Sequence, residues 1–288
     1  MKAIIGIIGG SGIDQIEDLK GAQWNSLSSP FGSPSDDLLF GEIDDVPIVF
    51  LPRHGRGHKL TPTAINYRAN IDCLKRAGVT DIISLSAVGS LKEEYAPGNF
   101  VLVDQFIDRT FSREKTFFGE GCVAHVSFSH PIADRLQQAL HNTCKDLGLL
   151  SHLGGTYICM EGPQFSTLAE SNLYRSWGCD VIGMTNMPEA KLAREAELPY
   201  ATVAMVTDYD CWHPDHEAVS VESVIKVIEK NRDNANLLLK NVLPKIKVRP
   251  EKDIQGGDRA LDFAIVTPPK NRDPELVAKL DAIAGRVL

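Results

Sequence analysis

The sequence predicts an α/β fold in one domain, a layered sheet with much parallel pairing and helices packed around it. Two observations predict this. Apolar runs of strand length, bounded by turn residues, alternate along the chain with segments of helical period. The 288 residues also hold no internal repeat, low-complexity tract or evident linker, and are enough to bury one large core.

The elements follow in order. Lys2–Ile8 reads as a buried strand closing on Gly9-Gly10-Ser11-Gly12, and Pro47–Leu51 as a second ending at Pro52-Arg53-His54-Gly55. Thr61-Pro62 opens a helix, threonine as N-cap and proline in the first turn, and Gly78 closes it. Asp81–Ser86 and Phe100–Ile107 are strands, and His130–Leu147 is an amphipathic helix stopped by Gly148. Then come strand Thr156–Met160, helix Leu168–Trp177 ended by Gly178, strand Asp180–Met184, helix Glu189–Ala196 and strand Tyr200–Thr207. A long helix covers Val221–Val242, and a strand-like run, Leu261–Val266, and a helix, Asp273–Ala284, finish the chain. Charge and proline cluster at Val248–Asp253, which divides a domain of residues 1–248 from an extension, 249–288, too short for its own core and expected to pack on the same domain.

Composition excludes several classes of function. Apolar residues make up 43% and charged residues 24%, ordinary for a soluble globular protein. A net charge of −8 disfavours a broad phosphate-binding surface of the kind nucleic acids need, while leaving room for a small basic pocket. The apolar N-terminus is too short and glycine-rich for a signal peptide, and no run approaches the ~18–20 apolar residues that cross a bilayer. Six cysteines stand at 73, 122, 144, 159, 179 and 211 with no C-x-x-C pair, which argues against a zinc ribbon and fits a reducing cytosol.

Ligands of open α/β sheets gather at the carboxyl ends of strands. Gly9-Gly10-Ser11-Gly12 exposes backbone N–H groups and a hydroxyl to an anion, but lacks the last glycine of a dinucleotide fingerprint and the Gly-Lys-Ser/Thr of a P-loop; alone it is more often a tight turn. In Arg53-His54-Gly55-Arg56-Gly57-His58-Lys59 the strand-end position singles out Arg53 and His54 as anion ligands, and leaves Arg56, His58 and Lys59 to a solvated loop. Ser86-Ala87-Val88-Gly89 and Met184-Thr185-Asn186 each add a hydroxyl at a strand end. Glu161 is either a general acid or a structural carboxylate, and Phe165 either stacks a flat ligand or fills core.

Asp208 and Asp210, two apart on a strand, face the same side with Tyr209 opposite. Two close carboxyls share a proton, so one donates while the other accepts, a pattern that fits N7 and the 6-amino group of adenine. The rival reading is a metal site with His213, Asp215 and His216, but the spacing matches neither H-E-x-x-H nor a calcium loop. The plainest reading is that Asp215 or Ser220 caps the following helix.

Taken together, Ile8–Gly12, Arg53–Arg56, Asn66–Asn70, Asp104–Thr110, Glu161–Ser166, Met184-Thr185 and Thr207–Trp212 come in the order seen in the trimeric purine nucleoside phosphorylase family. They most resemble its 5′-methylthioadenosine phosphorylase branch, from about residue 4 to residue 245. The resemblance implies a single-domain nucleoside phosphorylase-like fold, a central mixed sheet flanked by helices. It implies a pentosyltransferase that cleaves S-methyl-5′-thioadenosine with inorganic phosphate, in methionine and purine salvage. Position by position, it implies that Ser11, Arg53, His54, Ser86 and Thr185 hold phosphate, with Ala87 beside them and, with Met184, lining the ribose. Phe165 would pack on the purine; Asp208 would be the general acid at N7 and Asp210 would read the 6-amino group. Serine at 11 and 86 replaces the threonine of a common form and keeps the hydroxyl.

Within the resemblance, Ser166 and Asp208 stand where 6-oxopurine enzymes typically carry Glu and Asn. Val221 stands where those enzymes place a histidine for the 5′-hydroxyl; with Val224 it would offer apolar surface to a methylthio group, whereas His216 falls beside that position. His125 is expected to reach a neighbouring subunit's site. The resemblance implies no metal or organic cofactor, no nucleic-acid or membrane partner, a cytoplasmic location and a homotrimer, with a hexamer open.

Overall fold

The computed structural model describes residues 1–288 except 14, 15, 17, 215–220, 252 and 254–256, and also leaves out the side chains of 221–224 and 226. The strands are β1 (Ile5–Gly9), β2 (Lys20–Asn25), β3 (Leu38–Ile43), β4 (Val46–Pro52), β5 (Asp81–Ser90), β6 (Phe100–Leu102), β7 (Gln105–Arg109), β8 (Ser151–Leu153), β9 (Thr156–Met160), β10 (Val181–Gly183) and β11 (Tyr200–Asp208). The helices are α1 (Tyr67–Arg76), α2 (Asp134–Asp146), α3 (Leu168–Ser176), α4 (Asn186–Glu195), α5 (Val221–Ile246), α6 (Pro274–Lys279) and α7 (Asp281–Ala284).

One mixed sheet runs β2-β3-β4-β1-β5-β10-β9-β7, and β11 adds to β5 and carries β6 and β8. β1 lies parallel between β4 and β5 and is buried along its whole length, which is why it reads as a continuous apolar run rather than an alternating one. β10 runs antiparallel to β5, pairing Ile182 with Gly89; carried two and three residues on, that register brings Met184 level with Ala87 and Thr185 level with Ser86. α1 packs on α4 and α7, α2 packs on α5, and a helix from each set lies on β11. Among the described residues no helix is long and apolar enough to cross a membrane.

The mixed sheet flanked by helices is the expected architecture, and four local readings need correcting. Thr61 makes no capping hydrogen bond: a 3-10 turn, Pro62–Ala64, intervenes, and α1 is capped by Asn66, whose side chain accepts from the Ala69 N–H. Phe100–Ile107 is two strands, because Asp104 turns outward between them and β6 pairs with β11 and β8 while β7 pairs with β9. Leu261–Val266 is not a strand but a series of turns with one bridge, Ala124 to Ile265, and its Phe263 and Val266 side chains face solvent. The last helix breaks at Leu280 into α6 and α7. The hairpin β2–β3 was illegible in sequence because β2 is mostly exposed and shows no apolar alternation. The C-terminal residues lie on the rest of the chain: Val248 bridges to Lys2, and Leu261, Leu280, Ile283 and Ala284 enter the main core.

Candidate active site

The ends of β1, β4, β5, β9, β10 and β11 surround one cavity of about 730 Å³, closed on another side by Ile225, Ile228, Glu229 and Arg232 of α5. Ser11, Arg53, His54, Ser86, Ala87, Phe165, Met184, Thr185, Asp208 and Asp210 all line it. His58 and Lys59, read from sequence as a solvated loop, line it too, whereas Arg56 points away, paired with Asp36 and lying over Trp24.

Arg53 is held before any ligand arrives. Its buried guanidinium gives Nε and Nη2 to the two oxygens of Glu189, at 2.7 and 3.1 Å, Nη2 to the Ser84 hydroxyl at 2.6 Å and Nη1 to the Leu85 carbonyl at 3.0 Å. Burial works against its charge, and Glu189 more than offsets that, so its pKa stays raised. Nη1 abuts the glycine turn, 3.0 Å from where a side chain on Gly10 would begin. Arg53 therefore contributes a fixed positive charge and one remaining N–H, not a free bidentate fork.

His54 is buried and its Nδ1 lies 2.8 Å from the Leu60 carbonyl, a geometry that places the proton on Nδ1 and leaves Nε2 to the ligand. Burial, with Arg53 close by, lowers its pKa to about 4, so the ring is neutral near pH 7.

Glu161 resolves as a structural carboxylate. It accepts from the Thr63 hydroxyl, the N–H groups of Phe111 and Ser112 and the Arg113 guanidinium; burial opposes its charge, but these donors hold its pKa down at about 2. Arg113, missed in the sequence, is the hub of this region: Nη1 gives to the carbonyls of Met184 and Met187 at 2.6 and 2.7 Å, and Nη2 to that of Glu161 at 2.7 Å. It thereby ties the ends of β9 and β10 to the start of α4.

The two aspartates share the cavity, but not by strand alternation. β11 ends at Asp208, and Asp210 sits in a turn with φ of +51°, its backbone N–H donating to Asp208 Oδ1 at 2.8 Å. Tyr209 points away, giving its hydroxyl to the Glu93 carbonyl. Burial raises both carboxyls, and the charge of Asp210 raises Asp208 further, against hydrogen bonds from Thr207 and the Asp210 amide. Ser171, the Cys211 amide and Ser166 lie near enough to Asp210 to oppose the effect of burial on its carboxyl, while the Ser166 hydroxyl itself is directed to Met160 Sδ at 3.7 Å. Phe165 is half-exposed at 48%, an aromatic face on the wall rather than core filling.

His213 pairs with Glu93 and lies against Tyr209, outside the cavity wall. Asp215, His216 and Ser220 lie outside the described residues, as do the side chains of Val221 and Val224 at the start of α5. His125 is exposed on its own chain, its backbone joined to Ala264 of the C-terminal segment.

The model of the Phosphorylase superfamily matches residues 4–244. The S-methyl-5′-thioadenosine phosphorylase of Rhodospirillum rubrum is 60% identical over 287 residues, covering 100% of this chain and 98% of that protein. Among solved structures, a methylthioadenosine phosphorylase from an antarctic soil metagenomic library is 47% identical with a TM-score of 0.91, covering 98% of this chain and 99% of its own. That of Schistosoma mansoni, in complex with adenine, is 35% identical with a TM-score of 0.85, covering 94% and 99%. The chain belongs to the phosphorylase superfamily and, within it, to the S-methyl-5′-thioadenosine phosphorylase family.

Proposed function

We propose that the chain cleaves S-methyl-5′-thioadenosine with inorganic phosphate, giving adenine and 5-methylthioribose 1-phosphate. One observation carries this reading: a single cavity brings cationic and hydroxyl groups suited to phosphate together with two neighbouring carboxyls, both raised in pKa by burial, suited to a purine edge. Ser11, Arg53, His54, Ser86 and Thr185 bind the phosphate, with Ala87 beside them and Met184 against the sugar; Phe165 covers the base. A phosphate oxygen attacks C1′ as the C1′–N9 bond breaks, and the electron pair moves into the purine. Asp208 gives its proton to N7, and Asp210 accepts from the 6-amino group. Positioning two reactants and protonating the leaving group are the chain's contributions. The reaction as written needs phosphate as co-substrate and no metal or organic cofactor.

Ser166 and Asp208 favour a 6-aminopurine, and Val221 with Val224 a methylthio group in place of a 5′-hydroxyl. The same reading takes residues 1–248 as the catalytic domain with 249–288 as an extension, a homotrimer in which His125 serves a neighbouring site, and a cytoplasmic role in methionine and purine salvage. The test is adenine release from methylthioadenosine with and without phosphate, and with inosine as control substrate. Release that continues unchanged without phosphate would make the chain a hydrolase and remove the proposal.

A further inference from the structure

Behind the phosphate wall lies a tyrosine that no binding role claims. Tyr157, on β9, is fully buried, and its hydroxyl is 3.1 Å from Ser86 Oγ on β5. β10 lies between those strands, so the ring must cross it. It crosses at Gly183, where a Cβ would fall 1.9 Å from the tyrosine oxygen and 2.5 Å from Cζ. Any other residue at 183 would occupy the space of the hydroxyl, so the glycine exists here for the tyrosine's passage.

The hydrogen-bond directions follow from an inventory of protons. A tyrosine hydroxyl has one proton to give and lone pairs to receive with. Ser86 Oγ is the hydrogen-bond partner of that hydroxyl; were the serine to donate, the buried phenol proton would be left without an acceptor, so Ser86 Oγ accepts from the tyrosine. Burial pushes the phenol's pKa up, so the proton stays on the tyrosine at neutral pH. Ser86, having accepted, must send its own proton elsewhere, and its hydroxyl lines the cavity. Thr185 lines it as well.

We propose that Tyr157 is a positioning residue for phosphate: it orients the Ser86 hydroxyl as a donor into the anion site. The relay runs from the Tyr157 hydroxyl to the Ser86 hydroxyl, to a phosphate oxygen. This inference rests on the phosphorolytic reading, and it assigns Tyr157 to one substrate of the two. An unoriented Ser86 hydroxyl spends part of its time bonded elsewhere, and a hydrogen bond to a charged group is among the stronger ones, so the effect on phosphate is sizeable.

Tyr157→Phe removes one oxygen and keeps the ring. The expected result is a rise of about five- to tenfold in KM for phosphate, a part of the worth of one hydrogen bond to an anion, since the Ser86 donor is disordered rather than removed. KM for methylthioadenosine at saturating phosphate stays within about twofold, since nothing in the relay touches that substrate. The phosphate-induced rise in Tm, which needs no turnover, shrinks in step. In a Ser86→Ala background the tyrosine substitution has no further effect, because the donor it orients is gone. Wild-type turnover with an unmoved phosphate KM in Tyr157→Phe would overturn the inference, as would equal rises in both KM values or a full, additive effect in Ser86→Ala. A wild-type protein inactive with phosphate would instead remove the underlying reading of the reaction.

Discussion

Replacing Asp208 by Asn separates proton transfer from packing, and the structure says why. Asp208 Oδ1 accepts from the Asp210 N–H at 2.8 Å, and Oδ2 lies 2.6 Å from Thr207 Oγ1, which also reaches the Val88 carbonyl at 3.1 Å. Asparagine can keep Oδ1 on the Asp210 N–H and turn its Nδ2 to Thr207, whose hydroxyl then donates to Val88. No buried group is stranded, so stability should change by no more than about 1 kcal/mol. The amide can still hydrogen-bond N7 but cannot protonate it. General acid catalysis is worth ~10²–10⁴-fold, so kcat should fall by that factor, or about 3–5.5 kcal/mol of barrier at 1.4 kcal/mol per factor of ten. Burial first, and then the neighbouring Asp210 charge, raises the Asp208 pKa, so the wild-type acid persists to higher pH than an exposed carboxyl would. Activity should decline as pH rises through that pKa, and the Asn variant should lack this limb. Steady-state adenine release from methylthioadenosine, paired with urea denaturation, reads both quantities. A folded Asn variant with kcat within about threefold of wild type would refute the acid role.

Glu189→Gln leaves the buried Arg53 charge without its partner, which should cost about 3–5 kcal/mol by urea denaturation at pH 7; a loss under 1 kcal/mol would show the pair is not what fixes Arg53. His54 has its pKa lowered from 6.5 to about 4, so the unfolded chain takes a proton before the folded one does, and stability is lost as pH falls between those values. His54→Gln should recover up to about 3 kcal/mol of that acid sensitivity, read from denaturation at pH 7 and pH 4.5. Glu195 is the opposite case: burial raises its pKa to about 7 against donors from Phe117 and Thr116, so its stabilising contribution is full below pH 4.5 and lost as pH rises to 7. Glu195→Gln should therefore gain on wild type by up to about 3 kcal/mol across that window, and a difference flat with pH would contradict the assignment.

The sheet was legible because its strands advertise themselves. β1, β4, β5 and β11 are buried almost throughout, and burial on both faces writes a near-continuous apolar run, interrupted in β5 by Ser84 and Ser86 and in β11 by Thr202. The helices were legible by their stops: Gly78, at φ +82°, closes the turn after α1 as its position suggested. The hairpin of β2 and β3 and the three-residue β8 write no such pattern, being short or exposed. The turn at Asp210 was misread because period-2 reasoning continues a strand through a residue whose φ has already changed sign.

Site residues divide along the same line. Groups at strand ends, such as Ser11, Arg53 and Asp208, could be named because strand ends can be located in sequence; Ser86 was named on the same ground, although β5 runs past it to Ser90 and the cavity opens along the strand rather than at its end. Glu189, Arg113 and Tyr157 could not, since each acts through a side chain that spans elements far apart in the chain. Nothing local distinguishes Glu189 from an exposed helical glutamate, or Tyr157 from any aromatic residue on a buried strand.

Those three residues explain how a cavity built from diverging strand ends keeps a fixed shape. Apolar packing sets the strands, but it is non-directional and cannot specify where a carbonyl or hydroxyl points. Direction comes from two buried guanidinium groups, each neutralised by a glutamate and each reading backbone carbonyls: Arg53 on Leu85, and Arg113 on Glu161, Met184 and Met187. An arginine with its charge matched can spend its remaining N–H groups on the main chain, and its planar fork fixes their angles. Removing either glutamate would thus do more than uncover a charge. It would release the guanidinium from the orientation in which its other N–H groups hold the strand ends, so the loss would reach the wall groups that never touch the glutamate.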